Sequence, residues 1–523
     1  IIEAKLLDDY GSYTDTRKVS PVEWYNRYEK FRSEKSSERL TTSGLPETHK
    51  IPGWLQQLKT YFKRDLFSKL ANTQYLIVSL TEAPLISFIL AFILRYITDP
   101  ESDTYIYRDN DNIMPYMFMC TIVAIFLGLM LSAEEIFKDR KILKREKFLN
   151  LSRSSYLFSK IGILFLLSAI QSILFVIVGN LILEINGMFF EYWLVFFSLS
   201  TFANILGLNI SSAFDSAVTI YILIPFLIIP QMVLSGAMFS FDKINRVIGG
   251  GNENVPFLAE IMPSRWAFEA LVVNQFANND YQKIFYKYEK DESVINYNSV
   301  YLLPELRNVV EKFNLPTTNK KDDIALINNE IIRQKQIVPS VKFQNFKKYS
   351  AENFTQQEAQ NTLQYIDSLQ EYYKNWFVQV NNEKDRILSS MQNNPEKSKK
   401  FQSFYDSYYN KHLATFAKNT YTSMPMVRIG NRFVQKIDPV FNEPYNKSYF
   451  NFRTHFMAPA KHFMGINYST FGFNIIMLWF FSVLLYIFLY YELIKKMLSP
   501  AKHFKIFASL NPVKQLLSNR KQL

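Results

Sequence analysis

Few side chains in this sequence are spaced for catalysis. A phosphate-binding loop needs a glycine followed by lysine, so that backbone amides and an ammonium cradle the phosphates. No glycine of the chain is followed by lysine, and the run Gly249-Gly250-Gly251 has no basic residue after it. ATP hydrolysis by these residues alone is not expected. His455 and His462 stand seven apart without a Cys or acidic partner at ligand spacing, so no metal site is expected. No Ser and His are arranged for nucleophilic catalysis, and the catalytic set is empty. Ion-coupled carriers keep charges inside the membrane, and the one candidate is Glu82, followed by Pro84. It reads either as a proton site or as a hydrogen-bonded residue between helices. Glu184 and Glu191 lie at segment ends. Asn353, Asn446 and Asn467 open glycosylation sequons, which chance explains in so Asn-rich a chain.

The elements that would position these residues are apolar and long. Segments 76–97, 114–133, 159–183, 189–211 and 217–239 precede a polar stretch at 242–468, and a sixth segment follows at 472–492. Each is long enough, at about 1.5 Å per residue, to cross a hydrocarbon layer about 30 Å thick. Only 212–216 separates the fourth from the fifth, a tight hairpin, and Pro225 and Pro230 distort the fifth. The fold class expected is therefore an α-helical polytopic membrane protein. It has six transmembrane helices in a 5+1 layout, with a large, mainly helical extracytoplasmic domain between helices 5 and 6. Ahead of them Trp54, Leu55, Leu58, Tyr61, Phe62, Leu66 and Leu70 recur at helical spacing with Lys59, Lys63, Arg64 and Lys69. That pattern reads as an amphipathic helix lying along the headgroups, or as a buried helix of a soluble domain.

The chain carries 59 Lys and Arg against 47 Asp and Glu, a net charge of +12, yet its mean hydropathy is only -0.07. Much of it must therefore meet water. Its basic residues flank apolar segments, so they set topology rather than bind nucleic acid. The loop 98–113 has Arg108 against Asp99, Glu101, Asp103, Asp109 and Asp111, whereas 134–158 carries Lys138, Arg140, Lys141, Lys144, Arg145, Lys147 and Arg153. The tail after Glu492 is basic throughout. Both termini are placed in the cytoplasm and 242–468 outside, in a multi-pass protein of the cell membrane. The single cysteine, Cys120, lies in an apolar segment, so the outer region must fold on its own core. Within it, Leu363, Ile366, Leu369, Tyr373, Trp376, Phe377 and Val380, then Phe401, Phe404, Tyr405, Tyr408, Leu413 and Phe416, predict an antiparallel helical hairpin, with weak strand signals near 423–437. The expected division is 1–52 as a cytoplasmic linker, 53–241 as the amphipathic helix and helices 1–5, 242–468 as the outer domain, and 469–523 as helix 6 with a basic tail.

Three local patterns carry a resemblance. Glu134 and Glu135 are followed by Arg145-Glu146-Lys147, then by Ser155-Tyr156 and Lys160. Pro230 precedes Ser235-Gly236 at the end of the fifth segment. The run from Met262 through Arg265, Trp266, Glu269 and Asn274 to Phe276 has a Glu-Ala-Leu and an Asn-x-Phe. Together they resemble the transmembrane domain of G-type ABC exporters, the white and breast-cancer-resistance type. The resemblance covers 54–276 and 469–494. The family's outer loop is far shorter and often cysteine-bridged, so 277–468 departs from it, as in a bacterial relative of the inner membrane with an enlarged outer domain.

The resemblance implies the permease half of an ATP-driven exporter. Two copies form a homodimer around a central cavity, with ATP and Mg held on a nucleotide-binding domain fused upstream and none bound by these residues. Cavity candidates by that resemblance are Phe118, Thr121, Ile125, Leu223, Phe226 and Ile229, for which ordinary helix packing is an equal reading. Arg265, Trp266, Glu269 and Asn274 fall on the family's re-entrant segment. Glu134, Glu135, Arg145 and Glu146 fall on its coupling segment, with a short cytoplasmic helix at 136–152; a solvated charged loop is the plain alternative. Apolar walls suit an amphipathic or lipid-like cargo moved by alternating access. Further partners are membrane lipids and an envelope protein at the outer domain. Three readings compete with export: a mechanotransmission or assembly device acting through the outer domain, a non-transporting receptor or scaffold, and an ion-coupled carrier.

Overall fold

The computed structural model describes residues 5–35, 52–98, 101, 104–146, 151–251, 253–312, 320–343, 346, 348–350, 353–444 and 449–498. Most of the linker at 36–51, Lys147, the Asn446 sequon and the basic tail beyond 498 lie outside the described residues. The chain divides into two compact units, Ile1–Gly53 and Trp54–Leu523. In the first, β1 (Lys5–Leu7) pairs antiparallel with β2 (Tyr13–Arg17), and α1 (Pro21–Lys35) follows. Trp24, Tyr25, Tyr28 and Phe31 of α1 are exposed.

The second unit opens with α2 (Trp54–Ala71), whose Tyr61, Phe62 and Leu66 pack against a later long helix. Then come α3 (Thr73–Leu94), α4 (Ile113–Ser132), α5 (Glu135–Glu146), α6 (Arg153–Leu183), α7 (Phe189–Ala213) and α8 (Ala217–Val233). Side-chain oxygens start two of them: Asn72 accepts from the Tyr75 amide and Ser152 from the Ser155 amide. Glu184 ends α6 in the left-handed region at φ 55°. Among the described residues five helices are long and apolar enough to cross a membrane: α3, α4, α6, α7 and the late helix α17 (Thr470–Tyr490). The fifth predicted segment forms α8, a shorter helix of 17 residues, about 25 Å long. The apolar run predicted to 239 outlasts it, because Gly236 takes φ +80° and the Ser235 hydroxyl bonds the Met232 carbonyl and the Ala237 amide. A turn therefore replaces the last helical turns.

The membrane helices meet through small residues. A Cβ on Gly128 of α4 would lie 2.6 Å from the Ser200 carbonyl oxygen and 2.7 Å from Ala203 Cβ, both on α7; one on Gly207 of α7 would lie 2.0 Å from Ser132 Oγ of α4. Such contacts let two backbones approach closely where no aqueous hydrophobic effect drives them together. α3 packs on α6, and α7 on α4, α6 and α17.

Beyond α8 come the short α9 (Phe257–Glu260) and α10 (Pro263–Ala277), a helix buried from Pro263 to Phe276 among α4, α7 and α17. Outside it α11 (Asp280–Asn296) runs through a π-helical turn, Tyr297–Leu302, into α12 (Leu303–Lys312) and α13 (Lys320–Ile337). The long α14 (Gln356–Met391) and α15 (Pro395–Tyr408) occupy the predicted hairpin, but their apolar faces do not chiefly meet each other. Ile366, Leu369 and Tyr373 of α14 pack on Leu306, Ile327 and Ile331 of α12 and α13. Phe401, Phe404 and Tyr405 of α15 gather instead around Tyr281 of α11. After α16 (Lys411–Ala417) two hairpins form, β3 (Met426–Ile429) with β4 (Arg432–Gln435), and β5 (Ala460–Phe463) with β6 (Ile466–Ser469). The first lies where the strand signal was. α18 (Leu493–Leu498) closes the described chain.

Candidate functional site

At one end of the helix set, three elements converge on a mostly buried ionic cluster. Lys160 of α6 is 4% exposed and lies 2.7 Å from Asp65 of α2, 3.1 Å from Glu135 and 2.9 Å from Asp139, the last two on α5. Lys69 of α2 adds a 2.5 Å pair to Glu135, and the Tyr156 hydroxyl donates to Asp139 at 3.0 Å. A buried ammonium is tolerable only when paired and hydrogen-bonded, and here each carboxylate in turn needs it. Arg64 of α2 reaches Glu146 at 3.0 Å. The start of α5 is held to the end of α7: Ser211 Oγ accepts the amides of Ile136 and Phe137 at 3.1 and 2.9 Å. Arg140 donates to the carbonyls of Ser211 and Ser212 and pairs with Asp215.

Of the four coupling candidates, Glu135 is a hub of this cluster and Glu146 is tied to α2. Glu134, just ahead of α5, pairs with Lys138 at 2.7 Å and accepts a hydrogen bond from the Tyr221 hydroxyl of α8. Arg145 is exposed, on the same open side as Lys138, Lys141, Ile142 and Lys144. Sequence reasoning missed Asp65, Lys69 and Asp139 as partners. The available signal was Lys160 itself, a cation opening an apolar helix, which demands carboxylates from elsewhere.

The six cavity candidates separate. Phe118, Thr121 and Ile125 of α4 are buried within the chain, Phe118 edge-on to Phe268 at 6.0 Å and Thr121 bonded to the Phe118 carbonyl at 2.6 Å. On α8, Leu223 is half-buried, and Phe226 and Ile229 are 68% and 55% exposed. The open side of α4 carries Met119 and Met130, with Ile122, Val123 and Phe126 half-buried.

The re-entrant candidates do come together. Glu269 of α10 is fully buried and accepts from Lys461 Nζ of β5 at 2.9 Å, Asn474 Nδ2 of α17 at 2.9 Å and the Met457 amide at 3.1 Å. Arg265 lies 3.4 Å from Glu269, 3.2 Å from Glu260 and 4.2 Å over the Trp266 ring. Two cations and two carboxylates thus balance in one dry spot, tying α10, α17 and the β5–β6 hairpin together. Asn274 stands apart, with Met188 and Asn278.

On the opposite end from the cluster around Lys160, Arg108 bonds Asp109 and lies 2.5 Å from Asp406 of α15. Hydrogen bonds from the Arg108 guanidinium, with Lys411 nearby, hold the Asp109 carboxyl down to about 2. His455 donates to the Pro439 carbonyl and His462 meets Asn467 Oδ1. Burial pushes the His455 ring down to about 4.

No curated protein matches the chain. Residues 56–276, from α2 through α10, match the family described as ABC-2 type transporter. That match, with five helices among the described residues long and apolar enough to span, supports a membrane protein and suggests the permease component of an ABC transporter, a kind of component that pairs with a nucleotide-binding ATPase.

Proposed function

We propose that this chain is the permease domain of an ATP-driven ABC exporter of the G type, moving an amphipathic or lipid-like cargo. The observation that carries this reading is the two-sided setting of α5. One side is locked by Glu135, Asp139, Arg140 and Glu146 to α2, α6 and α7, while Lys138, Lys141, Lys144 and Arg145 face outward. A push on the open side is transmitted rigidly, because breaking the locked side would strand buried charges. The ATPase, carrying ATP and Mg, docks there. Two copies enclose a cavity walled by α8 and the open side of α4, both termini lie in the cytoplasm, and α8 supplies a sixth span. Purification from native membranes tests the reading. An ATPase, fused or co-purifying, is expected with ATP hydrolysis in the sample; its absence from an intact preparation overturns the proposal.

The mechanotransmission reading has one observation in its favour: the Glu269–Lys461 pair joins the β5–β6 hairpin directly to α10, with Asn474 of α17 on the same carboxylate. Deleting α14 and α15 discriminates. Cargo transport that survives the deletion marks the outer helices as accessory.

A further inference from the structure

We propose that Glu82 is a binding site, on the lipid-facing side of α3, for the ammonium group of an amphipathic amine. Glu82 stands about 14 Å from the start of a helix about 33 Å long, which is mid-depth for a spanning segment. It is the one charged side chain in α3; α4 has none, and α6 has none from Ile161 to Leu183. Among the described residues Glu82 makes no hydrogen bond or ion pair. The buried charged groups that α2 and α6 bring beside α3 are engaged elsewhere. Lys69 of α2 and Lys160 of α6 hold Glu135, and Asp65 of α2 holds Lys160. On α4, Tyr116 packs toward Gly179 and Cys120 is a buried thiol.

Unpaired acceptors lie on the turns next to Glu82. Gln171 of α6, 2% exposed, spends its amide nitrogen on the Ser79 carbonyl at 2.6 Å, one turn before Glu82, and leaves Oε1 buried without a partner. Pro84 has no N–H, so the Leu80 carbonyl loses its helical donor. A carboxylate, an unpaired amide oxygen and a carbonyl without its helical donor thus lie on adjoining turns, and their complement is a cation with several N–H donors. Its route of entry is lateral, since Glu82 is half-buried while Ile77, Val78, Leu85 and Ile89 beside it are exposed. The ligand therefore needs an apolar body that partitions into lipid. An ionisable side chain at this depth is costly without such a partner.

The test uses the full-length protein in lipid nanodiscs and a diazirine-bearing dodecylamine, with cross-links mapped by mass spectrometry. Labelling of α3 and α6 near Glu82 is expected. It should be displaced by dodecylamine but not by dodecanol, and it should fall about tenfold or more in Glu82→Gln, as loss of a charged contact predicts. Equal displacement by dodecanol overturns the proposal and leaves Glu82 as an acid that merely holds a proton. Undiminished labelling of a folded Glu82→Gln protein overturns it too. The competition in the unsubstituted protein decides the matter even if the variant fails to fold. No arm of the test depends on ATP hydrolysis, so its failure is distinct from failure of the export reading.

Discussion

Lys160 shows how much rests on one side chain. Three carboxylates, Asp65, Glu135 and Asp139, lie within 3.1 Å of its ammonium, and all are mostly buried. Lys160→Met removes the shared cation and leaves their repulsion against Lys69 alone, which should cost about 3–5 kcal/mol. Thermal unfolding in detergent should show a large loss, and adding Asp65→Asn should restore part of it. A variant as stable as the parent would mean that the cluster is solvated. His455 makes a second, pH-dependent case. Its folded value of about 4 lies below the about 6.5 of an unfolded chain, so the unfolded state binds more protons between them. The stability it contributes is complete above about pH 6.5 and is lost as pH falls toward 4, by roughly 2–3 kcal/mol. Unfolding measured at pH 7 and pH 5 should show that slope, and His455→Gln should flatten it.

Between elements, backbone approach matters more than side-chain bulk. At Gly128 a new methyl would meet the Ser200 carbonyl, part of the backbone of α7, and Ala203 Cβ; at Gly207 it would meet chiefly the Ser132 hydroxyl, which can rotate. Gly128→Ala should therefore cost about 1–3 kcal/mol and Gly207→Ala less, read as the order of their melting temperatures. The reverse order would mean that α4 and α7 shift rather than clash. Neither close approach was legible in the sequence, where both glycines stand among ordinary apolar residues. The spans themselves were legible, since α4, α6, α7 and α17 follow the apolar runs closely; α8 was not, because hydropathy marks Ala237, Met238 and Phe239 without sensing the turn at Gly236. The coupling segment was half legible for the same kind of reason. Glu135 could be singled out locally, but Lys69 and Lys160, its partners, lie 66 and 25 residues away and meet it only through tertiary packing.

At the scale of the whole molecule, side-chain contacts sort the helix ends into two groups without reference to charge rules. The ends of α2 and α7 and the starts of α5 and α6 meet around Lys160 and Arg140, and Arg153 joins the end of α17 to them through Glu492 and the Leu489 carbonyl. The loop before α4 joins the other group, since Arg108 pairs with Asp406 of α15. The first group is the basic one and the second holds the acidic loop, the asymmetry expected when the first faces the cytoplasm. One cysteine, Cys120, is buried, so a cysteine-free background is close at hand and any added thiol reports cleanly. Lys144→Cys on α5 and Lys397→Cys on α15 place thiols at exposed positions of the two groups. On intact cells an impermeant maleimide should label position 397 and spare position 144 until the membrane is opened. The opposite pattern would turn the molecule over. It would put the open side of α5 out of reach of any cytoplasmic ATPase and end the export mechanism with it.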